Sequence, residues 1–136
     1  MANNCENILE VRGKATGLKS FKLKAKGENT ALSIKRLHNM PESVDEYCWL
    51  AQNFNVGADI EAELDDSDDK YLAYWFFTAD VPPLIWLQKL SAEYPELRFT
   101  LEYLFDDVDD FVLRGKAEAR LGKISDRSKR TTLSQV

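Results

Sequence analysis

The hydrophobic pattern is clearest in the middle of the chain, where two apolar segments flank a helix. Residues 71–79 are apolar on both faces, which is typical of a strand inside a sheet. Pro82 and Pro83 stop that strand and suit the first turn of a helix, whose apolar stripe is formed by Leu84, Leu87, Leu90 and Tyr94. Residues 97–105 then alternate between apolar and polar side chains, the period of a half-buried strand. A strand–helix–strand unit of this length predicts two strands that lie side by side and point the same way.

Other alternating segments predict further strands, and helical spacing predicts two more helices. The strands are expected at 7–13, 58–65 and 111–121. The first helix is expected to follow Thr16 as its N-cap, and residues 32–37 are expected to be extended. A second helix is expected to open with a capping box of Ser43 and Glu46. It is expected to bury one apolar side, which comprises Val44, Tyr47, Cys48 and Ala51.

The resulting βαββαβ order is the ferredoxin-like pattern, an antiparallel sheet with helices on one face. We therefore predict an α+β fold with a helical insertion before strand two and an extra C-terminal edge strand. Gly115 is a candidate bulge in that last strand. Residues 1–121 are expected to form a single domain. Residues 122–136 are polar and basic without periodicity, which predicts a flexible tail.

Composition limits the class of protein. The 136 residues, 44% of them hydrophobic, suffice for one domain with its own core. Cys5 and Cys48 lie far apart and outside any motif, which favours a reducing compartment. No apolar stretch has the form of a secretory signal or the length of a membrane span. We therefore expect a cytoplasmic protein.

Charge is distributed unevenly along the chain, whose net charge is −5. Residues 41–112 carry eighteen Asp/Glu against three Lys/Arg, whereas the segments before and after are each basic. This acidic middle argues against direct nucleic-acid binding by the domain body and favours a protein partner or self-association. We expect Asp59, Glu61 and Glu63 to form an acidic row on an edge strand and to bind a partner together with Asp80.

The aromatic run of the central strand has two interpretations. RNA-binding sheets of this fold stack bases on exposed aromatic rings, but their Lys/Arg-Gly-aromatic signature is absent and the neighbouring strand is acidic. Core packing of residues 74–77 is therefore favoured.

A sheet whose second face lacks helices often pairs face to face. We expect Tyr74, Phe76 and Leu104 to point to that second face and to contribute to partner binding.

Candidate catalytic and metal-binding residues are few. Two Asp-Asp-x-Asp-Asp segments, 65–69 and 106–110, lack the glycine and distant glutamate of an EF-hand loop, so we interpret them as solvated turns. They are expected at opposite ends of the sheet. His38 and Cys48 are candidates for a nucleophilic pair, but a cysteine on the apolar side of a helix is usually inert. We predict neither a cofactor nor a metal.

Five short segments, spread over most of residues 7–115, match the pattern of a known family. They are Asn7…Leu9-x-Val11-x-Gly13, Met40-Pro41-Glu42, Trp49…Asn53, Phe77-Thr78-Ala79-x-x-Pro82-Pro83 and Leu90-Ser91…Tyr94-Pro95-x-Leu97-x-Phe99-x-Leu101-x-Tyr103. The chain resembles the YubB-like ferredoxin-fold domain family of bacteria, plasmids and phages. The resemblance implies a ferredoxin-like fold and no established activity. The chain departs from the family at Asp80, where the family usually has tryptophan, and over residues 54–59.

Three functional hypotheses follow. The first is a non-enzymatic cytoplasmic interaction module of mobile-element origin. The second is an acidic protein that mimics nucleic-acid phosphates and blocks a basic partner, as an anti-defence protein does. The third is an enzyme with a cleft near Asp80, His38 and Trp49.

Overall fold

The structure is a computed structural model that describes residues 4–79, 81–106 and 111–132. Six strands and four helices occur in these ranges, and one antiparallel sheet holds the strands in the order β2-β3-β1-β4-β5-β6. The elements are β1 (Asn4–Arg12), α1 (Ala15–Ala25), α2 (Ile34–Leu37), α3 (Glu46–Phe54), β2 (Glu63–Ser67), β3 (Tyr71–Ala79), α4 (Leu84–Glu93), β4 (Arg98–Asp106), β5 (Phe111–Arg120) and β6 (Lys123–Thr132). The fold is α+β, as predicted.

The first four strands have the ferredoxin-like arrangement, with β1 in the centre. β1 is antiparallel to β3 on one side and to β4 on the other, so β3 and β4 point the same way, as predicted. The expectation that they lie side by side is wrong, because β1 separates them. A helix is about 10 Å wide and two strand spacings are about 9.6 Å, so α4 carries the chain two places along the sheet.

The helices cover one face of the sheet. In α1, the Phe21 ring lies 6.3 Å from the ring of Tyr74 and 5.7 Å from that of Phe99. In α4, the Trp86 ring lies 6.3 Å from that of Phe76. All five side chains are at most 1% exposed, so this side of the sheet holds the core.

The segment between α1 and α3 differs from the prediction. Residues 34–37, expected to be extended, form a one-turn helix capped by Ser33, whose side chain accepts from the Arg36 N–H. Asp59 adds a second acceptor for the helix start, at 2.7 Å from the Ile34 nitrogen. These two hydrogen bonds, one from the cap residue and one from the sequence-distant Asp59, outweigh the extended pattern of apolar residues.

Helix starts were predicted only approximately. α1 begins at Ala15 rather than after Thr16, and α3 is capped by Asp45, which accepts from the Cys48 N–H, rather than by Ser43. The predicted apolar side of α3 is wrong: Tyr47 is 64% exposed and Cys48 is exposed. The buried residues of this helix are instead Leu50 and Phe54.

β2 is an edge strand, as expected, but it begins at Glu63 rather than at residue 58. Residues 58–62 are held by the Thr30 region instead of by a neighbouring strand. The Thr30 hydroxyl accepts from the Ala62 N–H at 2.7 Å, and the Ala31 N–H donates to the Ala62 carbonyl at 3.0 Å. Loop hydrogen bonds thus satisfy backbone groups that the alternating pattern assigned to a sheet.

The predicted flexible tail is wrong for residues 123–132, which form β6. This strand pairs with β5 through ten residue pairs, from Phe111↔Thr132 to Arg120↔Lys123. Leu121 and Gly122 connect them with φ angles of 56° and 79°, the left-handed values that a two-residue hairpin loop requires. β5 is therefore an interior strand, and the C-terminal edge is β6.

Gly115 is not a bulge. It pairs in regular register with Tyr103 of β4 and with Ser128 of β6. A Cβ atom at this position would lie 2.1 Å from the Tyr103 ring, so the glycine serves to admit that ring.

Candidate functional site: the open face of the sheet

The open face of the sheet, which faces away from the helices, is the candidate site. It consists of the even-numbered residues of β1, β4 and β5, the odd-numbered residues of β3 and β6, and Glu63 and Asp66 of β2. Phe77 is 45% exposed on this face and Ile8 38%, while Trp75 and Leu104 are half-buried. The rings of Trp75 and Phe77 meet edge to face at 5.0 Å. A contiguous apolar patch of this kind is typical of an interaction surface.

Charged residues divide the open face into two halves. β5 and β6 place one acid and six cations on it: Glu118, Arg114, Lys116, Arg120, Lys123, Arg127 and Lys129. Within the described residues, none of these six cations forms an ion pair. β1 and β2 place four acids on it, Glu6, Glu10, Glu63 and Asp66, against the single cation Arg12. One half is thus basic, and the other is acidic and aromatic.

A groove of about 970 Å³ lies over the basic half. Apolar side chains of β1, β4 and β5 form part of its lining: Ile8, Leu104 and Val112. Four of the cations line it as well, together with Glu6 and Glu102. A lining that combines apolar area with both signs of charge suits a protein surface better than a small apolar ligand.

The predicted acidic row does not form one row. Asp59 binds within the chain, since its carboxylate accepts from the Ser33 hydroxyl and the Ile34 N–H, both at 2.7 Å. Glu61 is exposed but precedes β2, and Glu63 is the only one of the three that lies on the open face. Asp59 therefore stabilises the start of α2 rather than the sheet edge.

Tyr74 and Phe76 were placed on the wrong face. Both are 0% exposed and point to the helices, and burial raises the pKa of the Tyr74 hydroxyl. Their neighbours Trp75 and Phe77 point to the open face instead. Because β3 is apolar on both faces, its own sequence does not show which alternate residues point outward. Asp80, the remaining predicted residue, lies outside the described residues.

The basic half of the open face was missed because residues 122–136 were interpreted as a tail. A signal was present: Lys123, Arg127 and Lys129 all fall on odd positions, as in a strand with one solvated face. Too few apolar residues occupy the even positions for that alternation to be recognised.

His38 takes part in a buried cluster. Its Nδ1 contacts the Glu93 carboxylate, its Nε2 accepts from the Trp86 indole N–H at 3.0 Å, and its ring lies 4.5 Å from that of Phe54. The side chain is 2% exposed. Desolvation lowers the pKa of His38 below its usual 6.5 despite the nearby Glu93 carboxylate. Both ring nitrogens are already bonded in the neutral imidazole, so no lone pair is available for general-base chemistry.

The His38 cluster predicts a loss of stability in acid. Because the native pKa of His38 is lowered, the unfolded chain binds the proton more tightly, and the stabilisation present above pH 6.5 is lost as the pH falls below it. Glu93, Lys89 and Lys24 are the charged groups that act on the ring. Urea unfolding between pH 7.5 and 5 should show this slope.

The matched variant for this titration is His38→Gln, whose amide offers one donor and one acceptor without a titrating proton. We expect the slope between pH 6.5 and 5 to become shallower in the variant. An identical slope in both proteins would assign the acid lability to other groups.

Cys48 has the properties of an unreactive thiol. It is exposed on α3 beside Asp45, whose carboxylate raises the pKa of the thiol. A raised pKa keeps the sulfur protonated at neutral pH, and the thiolate is the reactive form. The contacts of His38 and Cys48 thus provide no activated nucleophile in the described part of the chain.

The first acidic segment closes the β2–β3 hairpin. Asp68 accepts from the N–H groups of Lys70 and Tyr71, and Asp66 accepts from the Tyr71 hydroxyl. The second segment lies outside the described residues apart from Asp106.

Among the residues described, no three His, Cys, Asp or Glu side chains are grouped to hold a metal ion. No helix in the described ranges has the length and hydrophobicity needed to cross a membrane.

Residues 60–132, the part that runs from the loop before β2 to the end of β6, match the family described as the ferredoxin-like domain in Api92-like protein. The chain belongs to this family. The match ends at the last residue of β6, so the family domain includes the strand that the sequence pattern assigned to a tail. In this chain, the central strand β1 and helix α1 come from residues before the matched range. No curated protein and no solved structure matches the chain.

Proposed function

We propose that the protein is a non-enzymatic interaction module that binds another protein through the open face of its sheet. The observation that carries this proposal is the uncovered patch around Ile8, Trp75 and Phe77 beside cations without ion-pair partners in the described residues. Burying that patch gains about 25 cal/mol per Å² of apolar area, and a partner's carboxylates would satisfy the cations.

A cytoplasmic location is part of the proposal. Both cysteines are free, Cys5 buried and Cys48 exposed, as expected of a protein from a reducing compartment. The resemblance to the YubB-like family, with the mobile-element origin that it implies, is compatible with this role but does not carry it.

A second candidate is the acidic protein that blocks a basic, nucleic-acid-binding partner. It is favoured by the β2 edge, where Glu61, Glu63, Asp65 and Asp66 are all exposed. Neutralising Glu61 and Glu63 to glutamine should then abolish salt-sensitive binding to a basic partner. Asp59 is unsuitable for this test because it holds the start of α2.

Site-specific photocrosslinking in producing cells tests the proposed face. With a benzoylphenylalanine in place of Phe77, we expect irradiation to yield one discrete adduct, whose second component mass spectrometry identifies. The residue is 45% exposed on the open face, so a bound partner would lie within reach of the probe.

Leu23 on α1 provides the matched control, since it is 70% exposed and faces away from the sheet. The same probe at Leu23 should give no adduct. Absence of a discrete adduct from both Phe77 and Ile8 would refute the open face as the binding surface.

A further inference from the structure

We propose that the partner on the open face is a second copy of this chain, related by a two-fold axis that runs parallel to the strands. This inference rests on the proposed function, because it names the occupant of the same face. It commits to one arrangement: the acidic and aromatic half of each copy covers the basic half of the other.

The middle row of the open face shows the pattern most clearly. Strand registers place one residue from every strand in this row, in the order β2-β3-β1-β4-β5-β6: Glu63, Trp75, Ile8, Glu102, Lys116 and Arg127. An acid and an aromatic ring stand at one end, and two cations stand at the other. The four outer positions of the row are therefore complementary to their own reverse, and Ile8 and Glu102 face each other at its centre.

A two-fold axis along the strands superposes the row on its reverse. β2 then lies over β6 of the other copy, β3 over β5, and β1 over β4. Glu63 meets Arg127 at both edges of the interface, and Trp75 meets Lys116. An axis across the strands would instead place each strand over itself, with Lys116 on Lys116 and Arg127 on Arg127. Like-charge repulsion disfavours that alternative.

The adjacent row repeats the same relation between β3 and β5. This row runs across β3, β1, β4 and β5 as Phe77, Glu6, Leu104 and Arg114, each paired in register with the next. In the two-fold arrangement, Phe77 meets the guanidinium of Arg114, and an exposed aromatic face attracts a cation within about 6 Å of its centre. Aromatic residues from β3 thus oppose cations from β5 in two successive rows.

The area of the face is sufficient for a stable dimer. Six strands about 4.8 Å apart, most of them about nine residues long at about 3.3 Å per residue, present roughly 800 Å². Standard protein interfaces bury about 800 Å² on each partner. Aligned packing of two sheets at about 30° keeps the central rows in contact.

The same charges argue against a nucleic acid in this position. A strand lying in the groove would pass Glu6 and Glu102, which line it beside the cations. The rings of Trp75 and Phe77, on which bases would stack, are paired in register with Ile8 and Glu6, and Trp75 also with Glu63. Phosphates near that half of the face would be repelled, whereas a second copy supplies both signs of charge.

A charge swap between Glu63 and Arg127 tests the arrangement. Sedimentation equilibrium of the full chain at low salt should give a dimer, and Glu63→Arg or Arg127→Glu should each raise the dissociation constant about tenfold or more. The double variant should return to within about threefold of the original value. Within one chain the two residues lie on opposite edges of the sheet, about 24 Å apart, so a coupling between them must act across the interface.

Lys22→Glu on α1 is the control, because it changes the net charge as Arg127→Glu does but lies on the helix side and is exposed. It should leave the dissociation constant unchanged, and circular dichroism should show all variants folded. A chain that is still monomeric at about 1 mM would overturn the two-fold arrangement. So would a double variant whose dissociation constant is raised by the product of the two single-variant effects, because the two residues would then not be coupled. So would tight binding of a 20-nucleotide oligo-dT that Arg127→Glu abolishes, in a chain that does not dimerise.

The outcomes for the two proposals are separable. If the probe at Phe77 captures a different protein while the purified chain is monomeric, the interaction module stands and the second copy is wrong. If Phe77 and Ile8 give no adduct and the chain is monomeric, both proposals fail.

Discussion

Replacing Gly115 by alanine is expected to lower the free energy of unfolding by about 1–3 kcal/mol, the range for overpacking at a buried site. The added Cβ would lie 2.1 Å from Cζ and 2.2 Å from the hydroxyl oxygen of Tyr103. The ring cannot yield easily: it is 3% exposed and crosses β5 to donate to Asp126 of β6 at 2.6 Å. Displacing it would break that hydrogen bond, which connects β4 with β6. Urea unfolding measures the cost.

A double-mutant cycle distinguishes the collision of the added Cβ with Tyr103 from a general intolerance of side chains at this position in β5. In a Tyr103→Leu background the space over Gly115 is freed, and Gly115→Ala should be neutral or stabilising by up to about 1 kcal/mol, since alanine is the better strand residue. An equal cost in both backgrounds would show that the Tyr103 ring is not the reason for the glycine.

Replacing Trp86 by alanine is expected to cost about 3–5 kcal/mol of unfolding free energy. The indole is 0% exposed and lies between the sheet, where it contacts Phe76, and His38, to which it donates a hydrogen bond. The substitution would leave a cavity in the core and an unpaired nitrogen on a buried histidine. Denaturant unfolding followed by circular dichroism measures this loss without relying on tryptophan fluorescence.

Trp86→Phe is the conservative partner of this variant. It keeps most of the apolar area and loses the N–H donor, so its cost should be smaller, about 1–3 kcal/mol. If alanine cost less than about 1 kcal/mol, or phenylalanine cost as much as alanine, the indole would not be the anchor of α4 that its contacts indicate.

The strand and helix types in the middle of the chain followed from local pattern. The alternation of residues 97–105 identified β4 because a strand directs successive side chains to opposite faces, whatever its neighbours are. α4 followed similarly from Leu87 and Leu90, which are both buried. Residues 58–62 and 34–37 were mistaken because hydrogen bonds from Thr30 and Asp59, distant in sequence, satisfy their backbone groups.

The candidate site was harder to predict than the fold. Exposure on the open face depends on which alternate residues of β3 the helices cover, and a strand that is apolar on both faces does not show this. The basic half depends on β6, whose exposed edge position favours polar residues and so weakens the strand signal. Leu104 was assigned to the correct face because β4 has one polar and one apolar side.

Local hydrophobic periodicity therefore sufficed to establish the α+β class and the parallel direction of β3 and β4. The composition of residues 41–112 sufficed to establish their acidic charge. Each of these properties depends on residues that are close together in the chain. Strand order, the face to which Trp75 and Phe77 point, and the row from Glu63 to Arg127 emerged only with the folded sheet. Those properties arise from hydrogen bonds between strands far apart in sequence, and no local pattern encodes which strands will be neighbours.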